Sequence, residues 1–208
     1  MLTDLSVKEF VNQVASSSPA PGGGSIAAIT AAQGIALTCM VAQLTMGKKK
    51  YAEYERLMQE VNTEAEKLTT ELVTYVDKDT EAYNGVAAVF SMPKATDEEK
   101  ALRSAAMQKA LKAAAAVPFE VMSLCLRALE ITNKAVGNSN PNAASDLGVA
   151  ALNLGAGVMG AWLNVKINLS GIKDEDFVHA YTQKGTELCK NAYALSARIY
   201  ENILEAVS

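Results

Sequence analysis

Two long stretches without a charged side chain dominate this sequence, one from Ser25 to Gly47 and the other from Leu147 to Val165. As helices, both would be about long enough to cross a lipid bilayer. Ala and Gly prevail in both, however, and hydroxyl and amide side chains interrupt them, which disfavours insertion into lipid. Helices of small residues let backbones approach closely when neighbouring helices cover them on every side. We therefore expect two core helices of a helical bundle and no membrane role.

The remaining sequence also predicts helices. It contains no alternating apolar and polar run bounded by turn residues, whereas Pro, Gly and Asn mark clear breaks. These breaks predict one all-α domain over residues 1–208, an orthogonal or antiparallel bundle of about seven helices. Pro118 is expected to divide two of them, since proline is tolerated as the first residue of a helix. The expected helices cover about 6–16, 25–46, 51–90, 97–117, 118–136, 143–170 and 174 to nearly the C-terminus.

Composition narrows the possible partners and the compartment. The chain has 19 Lys and Arg against 23 Asp and Glu, a net charge of −4, so nucleic acid is not an expected partner. Cys39, Cys125 and Cys189 are far apart and odd in number, which favours reduced thiols and a cytoplasmic location. Charged residues between Leu2 and Asn12 argue against a secretory signal. Because His179 is the only histidine and no Cys-x-x-Cys occurs, we expect no metal site.

One aspartate in the long third helix falls on its apolar stripe. Apolar residues recur there at three- and four-residue steps from Val61 to Val86, and Asp79 lies on that line, whereas Asp77 lies on the polar side. A carboxylate directed into apolar surroundings has a raised pKa, which suits a general base. A structural aspartate bonded to a neighbouring helix fits the same periodicity equally well.

The second uncharged stretch carries a polar line through an apolar helix. Ser145 and Asp146 stand at its start, where either side chain could simply cap the helix. Capping explains only the first turn, so the polar residues farther along require another polar stripe or a wet pocket. The line consists of Asp146, Ala150, Asn153, Gly157, Gly160, Asn164 and Asn168.

The first uncharged stretch has a distinctive motif at each end. Gly22, Gly23, Gly24 and Ser25 open the helix and leave backbone N–H groups free to meet an anion, although a tight turn into a helix would use the same residues. The motif lacks the Gly-Lys-Ser/Thr ending of a nucleotide-binding loop. Clustered ammonium groups at the other end suit a polyanionic substrate, or form a solvated patch; they belong to Lys48, Lys49 and Lys50.

Together these segments resemble the cyclodeaminase/cyclohydrolase family, known as the C-terminal domain of formiminotransferase-cyclodeaminase and as free-standing methenyltetrahydrofolate cyclohydrolases. The resemblance covers nearly the whole chain and is most specific in PAPGGGSIAA, residues 19–28, and LTMGKKKY, residues 44–51. VDKDTEAYNGV, residues 76–86, resembles the family's acidic segment and places Asp79 at its catalytic-type aspartate. NPNAASDLGVAAL and NVKINL resemble the remaining signature and place at matching positions Asn142, Ser145, Asp146, Asn164 and Asn168.

The resemblance implies a homodimer of long-helix bundles that acts on a tetrahydrofolate derivative without a metal or other cofactor. It implies Asp79 as the general base and Asp146 as a second acid or orienting group. The remaining matched residues would bind the substrate, with the folate glutamate held by the glycine motif or by the lysines.

The sequence is compatible with three functions. The favoured one is hydrolysis of 5,10-methenyltetrahydrofolate to 10-formyltetrahydrofolate, because no formiminotransferase domain accompanies the sequence. The second is the cyclodeaminase reaction, which releases ammonia from formiminotetrahydrofolate. The third, of a different class, is a non-catalytic helical oligomer or membrane-associated adaptor, in which the polar line merely joins helices.

Overall fold

The structure, a computed structural model, describes residues 1–208 and contains helices and no strands. The predicted all-α class is therefore confirmed, with six α-helices in place of about seven. Three short 3-10 helices, Leu2–Asp4, Lys49–Tyr54 and Pro141–Ala143, lie between them. The α-helices are α1 Val7–Val14, α2 Gly23–Thr45, α3 Glu55–Phe90, α4 Asp97–Ala135, α5 Ala144–Leu169 and α6 Glu175–Val207.

Helix α4 continues through Pro118, so the prediction that this proline divides two helices is wrong. Proline has no N–H group, and it therefore leaves the carbonyl of Ala114, four residues earlier, without its helical donor. The side-chain Nδ2 of Asn168 on α5 donates to that carbonyl at 3.1 Å. A hydrogen bond between helices thus replaces the missing one inside α4 and lets the helix run for 39 residues.

The long third helix begins later than predicted. A 3-10 helix, Lys49–Tyr54, precedes α3, which starts at Glu55. Tyr51 interrupts it with a non-helical φ of −120°, and this residue is buried, with its hydroxyl donating to Oδ1 of Asn140 at 2.8 Å. The chain therefore changes direction between α2 and α3 at this buried, non-helical tyrosine.

Helices α2 and α5 form the core of the bundle and pack antiparallel. Glycines allow this close packing: a Cβ at Gly34 would lie 2.9 Å from the Ala150 carbonyl oxygen, and one at Gly157 would lie 2.9 Å from Cβ of Ala31. By length and hydropathy, α2 and residues 141–169 are each able to span a membrane. In this fold, 56% and 44% of their most apolar windows are buried within the bundle, as expected of core helices.

The antiparallel packing separates two ends of the bundle. The start of α2 meets the late part of α5, where Gly23 lies against Asn164. The end of α2 meets the loop before α5, where the N–H of Asn140 donates to Oγ1 of Thr45 at 2.9 Å. We call these the glycine end and the lysine end; the length of α2 sets them about 30 Å apart.

Candidate functional site

Asp79 is held half-buried at the glycine end, against the first turn of α2. The hydroxyl of Ser25 donates to its Oδ2 at 2.9 Å. Burial raises the pKa of the Asp79 carboxyl, and the hydroxyl and backbone N–H of Ser25 lower it in part. No ion pair involves Asp79, and Ser25 and Asn164, which α2 and α5 bring to this end, are uncharged. The site therefore contains an isolated carboxylate poised to accept a proton.

The anion at the N-terminus of α2 is this carboxylate. A Cβ on Gly24 would overlap the Asp79 carboxylate, so only glycine allows α3 to bring Asp79 so close to the backbone of α2. The glycine motif alone predicts that an anionic group of the substrate binds at this position, which the Asp79 carboxylate occupies instead. Because Ser25 is fully buried, its side chain supports Asp79 and does not line an open surface.

The Ser25 hydroxyl has one hydrogen and two good acceptors. Besides Asp79, the backbone carbonyl of Val76 lies 3.0 Å from Oγ, and the Thr80 hydroxyl lies 3.4 Å away. When Asp79 is ionised, Ser25 can donate to it; when Asp79 is protonated, Ser25 can donate to Val76 and accept the carboxyl proton. Both protonation states of Asp79 therefore keep a hydrogen bond, which suits a group that gains and loses a proton in each turnover.

We expect Ser25→Ala to move the acid limb of the pH profile of kcat/KM to higher pH. The hydroxyl favours the ionised carboxylate, so its removal raises the pKa of Asp79 further, and the active base is lost at a higher pH. KM should change little, because Ser25 is buried. Ser123→Ala is the control, since that hydroxyl bonds only to the Phe119 carbonyl of its own helix. An unmoved limb would leave Ser25 a purely structural role.

The two asparagines of α5 differ in their surroundings. Asn164 donates through Nδ2 to the Gly160 carbonyl at 2.9 Å, and its Oδ1 accepts no hydrogen bond from the protein. It thus borders the glycine end with a free acceptor. Asn168 donates both to Ala114 and to the Asn164 carbonyl, so its amide supports α4 and its neighbour. A substrate contact of Asn168 would have to use its Oδ1.

The other predicted site residues lie at the lysine end. Asp146 is half-buried in the first turn of α5, and its axial distance from Asn164 is about 27 Å. One subunit therefore does not bring Asp146 and Asp79 to one folate, contrary to the expected arrangement. The exposed residues that accompany Asp146 at this end are Lys48, Lys49, Lys50, Asn142 and Ser145.

A cavity of about 390 Å³ opens at the lysine end. Lys50 and Tyr54 line one side, and the late part of α6 contributes Asn202 and Ile203. No sequence pattern connects α6 with the lysine motif, because only the tertiary fold brings these residues together. Asp79 does not line this cavity, so the candidate base and the cavity lie at different ends of the subunit.

Asp77 has a structural environment. Its carboxylate accepts the N–H of Leu2 at 2.7 Å and the hydroxyl of Thr3 at 3.2 Å, and it thereby holds the N-terminal 3-10 helix on α3. The polar side predicted for Asp77 is thus covered by the start of the chain. Elsewhere, no cluster of three or more His, Cys, Asp and Glu side chains is placed to hold a metal ion.

Fold and site together define an all-helical domain with a candidate acid–base carboxylate on α3, held against the first turn of α2. A family model described as formiminotransferase-cyclodeaminase matches residues 6–187, and the chain belongs to this family. The resemblance proposed from the sequence motifs is therefore confirmed.

Similar proteins carry two enzyme names. A methenyltetrahydrofolate cyclohydrolase of Methylorubrum extorquens is 39% identical over 208 residues, which cover 100% of both chains. A formimidoyltransferase-cyclodeaminase of Gallus gallus is 37% identical over 91% of this chain, which spans only 35% of that protein. The crystal structure of formiminotetrahydrofolate cyclodeaminase from Thermotoga maritima superposes with a TM-score of 0.81 at 30% identity, covering 99% of this chain and 97% of that one.

Proposed function

We propose that this chain hydrolyses 5,10-methenyltetrahydrofolate to 10-formyltetrahydrofolate. The observation that carries the choice of reaction is the 39% identity, over the full length of both chains, with a methenyltetrahydrofolate cyclohydrolase. The half-buried carboxylate of Asp79 supplies a base and a negative charge at one end of the bundle, both of which this reaction requires.

In the proposed mechanism Asp79 acts as the general base. Water attacks the methenyl carbon, which carries the positive charge of the amidinium, and the carboxylate accepts the proton from that water. The Asp79 carboxyl then gives this proton to N5, and the C–N5 bond of the adduct breaks. The hydroxyl of the adduct releases its proton to solvent as it becomes the carbonyl of the formyl group, which stays on N10. The negative charge of Asp79 also stabilises the cationic substrate. Ser25 turns its hydrogen towards Val76 while the carboxyl is protonated.

The cyclodeaminase reaction is the second candidate function, and the similarity to the Thermotoga maritima structure favours it. In that reaction N10 attacks the formimino carbon and ammonia leaves, which requires a proton donor at the departing nitrogen. A protonated Asp79 could supply that proton, since burial raises its pKa. The same carboxyl group would thus serve in both reactions at one carbon.

The adaptor alternative has less support. It would explain the two apolar helices and the interhelical hydrogen bonds, but it assigns no role to the half-buried carboxylate of Asp79, held against the first turn of α2. The similar proteins that cover the whole chain are named as enzymes.

Purified protein supplied separately with methenyltetrahydrofolate and formiminotetrahydrofolate should hydrolyse the methenyl compound faster. Loss of its absorbance and release of ammonia measure the two reactions. A dominant ammonia release would establish the cyclodeaminase alternative, and no turnover above background in either assay would contradict an enzymatic role. A chelator should leave the rate unchanged, because the reacting carbon is already cationic and needs no Lewis acid in the proposed mechanism.

We also propose a homodimer formed through α5, and a cytoplasmic location for it. One face of α5 exposes an apolar stripe that runs along almost its whole length, in a position next to the polar line. Such a stripe on an otherwise packed helix fits a subunit interface. Its residues are Val149, Leu152, Met159, Leu163 and Ile167. The location is supported by three unpaired cysteines.

Antiparallel pairing of two α5 helices would bring opposite ends of the subunits together. A twofold axis near Ala156, at the middle of the stripe, would place the start of α5 beside the end of its copy. Asp79 and Asn164 of one subunit would then face the lysine end of the other, including the partner's Asp146. The predicted site residues, separated within one subunit, would meet in the dimer.

The protein should therefore sediment as a dimer without detergent.

Mixed variants should also complement each other. Asp79→Asn and Asp146→Asn impair different ends, so each heterodimer keeps one intact site of its two. Because about half of the randomly mixed dimers are heterodimers, about a quarter of wild-type activity should be recovered. Mixing Asp79→Asn with Gly24→Ala, both at the glycine end, is the control without recovery. A monomer at micromolar concentration would contradict the interface.

A further inference from the structure

The apolar stripe of α3 continues beyond the helix that covers it. Before Asp79 the stripe is fully buried, and it consists of Val61, Ala65, Leu68, Leu72 and Val76. After Asp79 the same line runs on through Tyr83, Val86 and Phe90, where Tyr83 is 40% and Phe90 64% exposed. Helix α2 starts beside Asp79, at Gly24, and therefore does not cover α3 beyond that level. The stripe thus emerges at the glycine end as an open apolar surface.

Tyr83 is the part of this surface that adjoins the candidate base. It follows Asp79 by four residues, so both side chains leave the same face of α3, about 6 Å apart along the axis. Helical side chains lean towards the N-terminus of their helix, which directs the Tyr83 side chain towards the turn that carries Asp79. An aromatic ring and a carboxylate therefore border the same part of the glycine end.

The ring of Tyr83 stacks on no other aromatic ring and carries no cation of the protein. Other aromatic rings carry a lysine ammonium at 4.1 to 5.4 Å from the ring centre; they belong to Tyr51, Tyr75, Phe177 and Trp162. The negative face of an aromatic ring attracts such a cation.

The charges at this position select the kind of group that can bind beside Asp79. A carboxylate and the negative face of an aromatic ring both attract a cation and repel an anion. The surface around Tyr83 is otherwise apolar, which suits a flat ring more than a hydrated ammonium. A flat, positively charged ring therefore fits the space between Tyr83 and Asp79.

We propose that Tyr83 binds the cationic amidinium ring of the substrate through a cation–π contact and thereby distinguishes substrate from product. The proposal rests on the proposed function, since it takes the methenyl carbon to lie at Asp79. The methenyl cation and one water give a neutral formyl amide and one proton, so hydrolysis removes the charge that the ring holds. Tyr83 therefore binds the methenyl form more tightly than the formyl form and favours product release.

This contact affects KM more than kcat. The positive charge of the amidinium fades as water attacks the methenyl carbon, so the ring stabilises the bound substrate at least as much as the transition state. Loss of the ring should therefore raise KM and leave kcat nearly unchanged. A general base has the opposite signature, since its loss lowers kcat.

The first test compares Tyr83→Leu with Tyr83→Phe. Tyr83→Leu should raise KM for methenyltetrahydrofolate about tenfold, the range of a cation–π contact, while the inhibition constant of 10-formyltetrahydrofolate changes little. Tyr83→Phe keeps the aromatic face and should resemble the wild type in both constants. Tyr193→Leu is the matched control, because it removes an exposed tyrosine from α6 and should change neither constant.

Pentafluorophenylalanine at position 83 separates charge from apolar contact. The fluorinated ring keeps its flat shape but loses its negative face, so KM should rise as in Tyr83→Leu. A fluorinated protein that resembles Tyr83→Phe would show that the ring contributes only apolar contact, and it would overturn the proposal.

Calorimetry tests the contact without relying on turnover. Because hydrolysis releases a proton, mildly acidic solution keeps the ligand in the methenyl form, and its binding can be compared with that of the neutral 5-formyl isomer. Tyr83→Leu should weaken methenyl binding about tenfold and leave 5-formyl binding nearly unchanged. Equal weakening of both ligands, or no weakening of either, would overturn the proposal. The ratio of the two affinities decides the role of Tyr83 even if the proposed reaction fails.

Discussion

Asp79→Asn should lower kcat for methenyl hydrolysis by about two to four orders of magnitude, the range over which general bases act. The amide keeps the size of the side chain and can still accept the Ser25 hydroxyl, but it cannot take a proton from water. Folding should be preserved. Burial already disfavours the charged carboxylate, so at neutral pH its replacement by a neutral group should leave the melting temperature unchanged or slightly higher.

The matched control is Asp77→Asn, two residues away on the same helix. Its activity should be close to that of the wild type, with a small loss of stability, because an amide oxygen can replace only one of the two acceptors that bind Leu2 and Thr3. An Asp79→Asn enzyme with full activity would refute the assignment of the base. Loss of folding instead of turnover would give Asp79 a structural role and make Asp146 the better candidate.

Gly24→Ala should lower kcat about 100-fold, although the residue has no side chain of its own. The new methyl group would occupy the space of the Asp79 carboxylate, so either the carboxylate or the start of α2 must move, and small displacements of catalytic groups have effects of this size. Overpacking should also cost about 1 to 3 kcal/mol of unfolding free energy. Turnover and chemical denaturation, measured on the same preparations, separate the two effects.

Two comparisons identify the cause of the Gly24 effect. Gly85→Ala adds a methyl group where no neighbouring atom lies within 4 Å, and it should retain activity with a gain in stability of about 0.5 to 1 kcal/mol. In an Asp79→Ala background, the obstructing carboxylate is absent, so Gly24→Ala should lose much less stability. An equal loss in both backgrounds would show that the steric conflict with Asp79 is not the cause.

The fold class could be predicted because its determinants are local. Uncharged small-residue stretches such as 25–47 can be covered only by other helices, and breaks such as Gly47 stand in the sequence itself. Pro118 misled the prediction because the group that compensates for it, the amide of Asn168, is fifty residues away and becomes visible only in the packed bundle.

The candidate site could be predicted only in part, because some of its features are local in the sequence and others depend on contacts between distant segments. The apolar period of α3 directed attention to Asp79, whose half-buried position follows from that period. The glycine motif and the acidic segment looked like separate sites, because nothing in the spacing of Gly24 and Asp79 reveals that they touch. Likewise, the antiparallel order of α2 and α5 decides which motifs share an end, and sequence spacing does not contain that order.

The bond between Asn168 and the Ala114 carbonyl has a consequence for how this chain can change over evolutionary time. Proline at position 118 creates a requirement that the amide at position 168 fulfils. A sequence that replaced the proline would restore the donor within α4, and this constraint on position 168 would be removed. Loss of the amide while the proline remains would leave a buried carbonyl without a partner. Positions 118 and 168 are therefore expected to covary, with the proline lost before the asparagine.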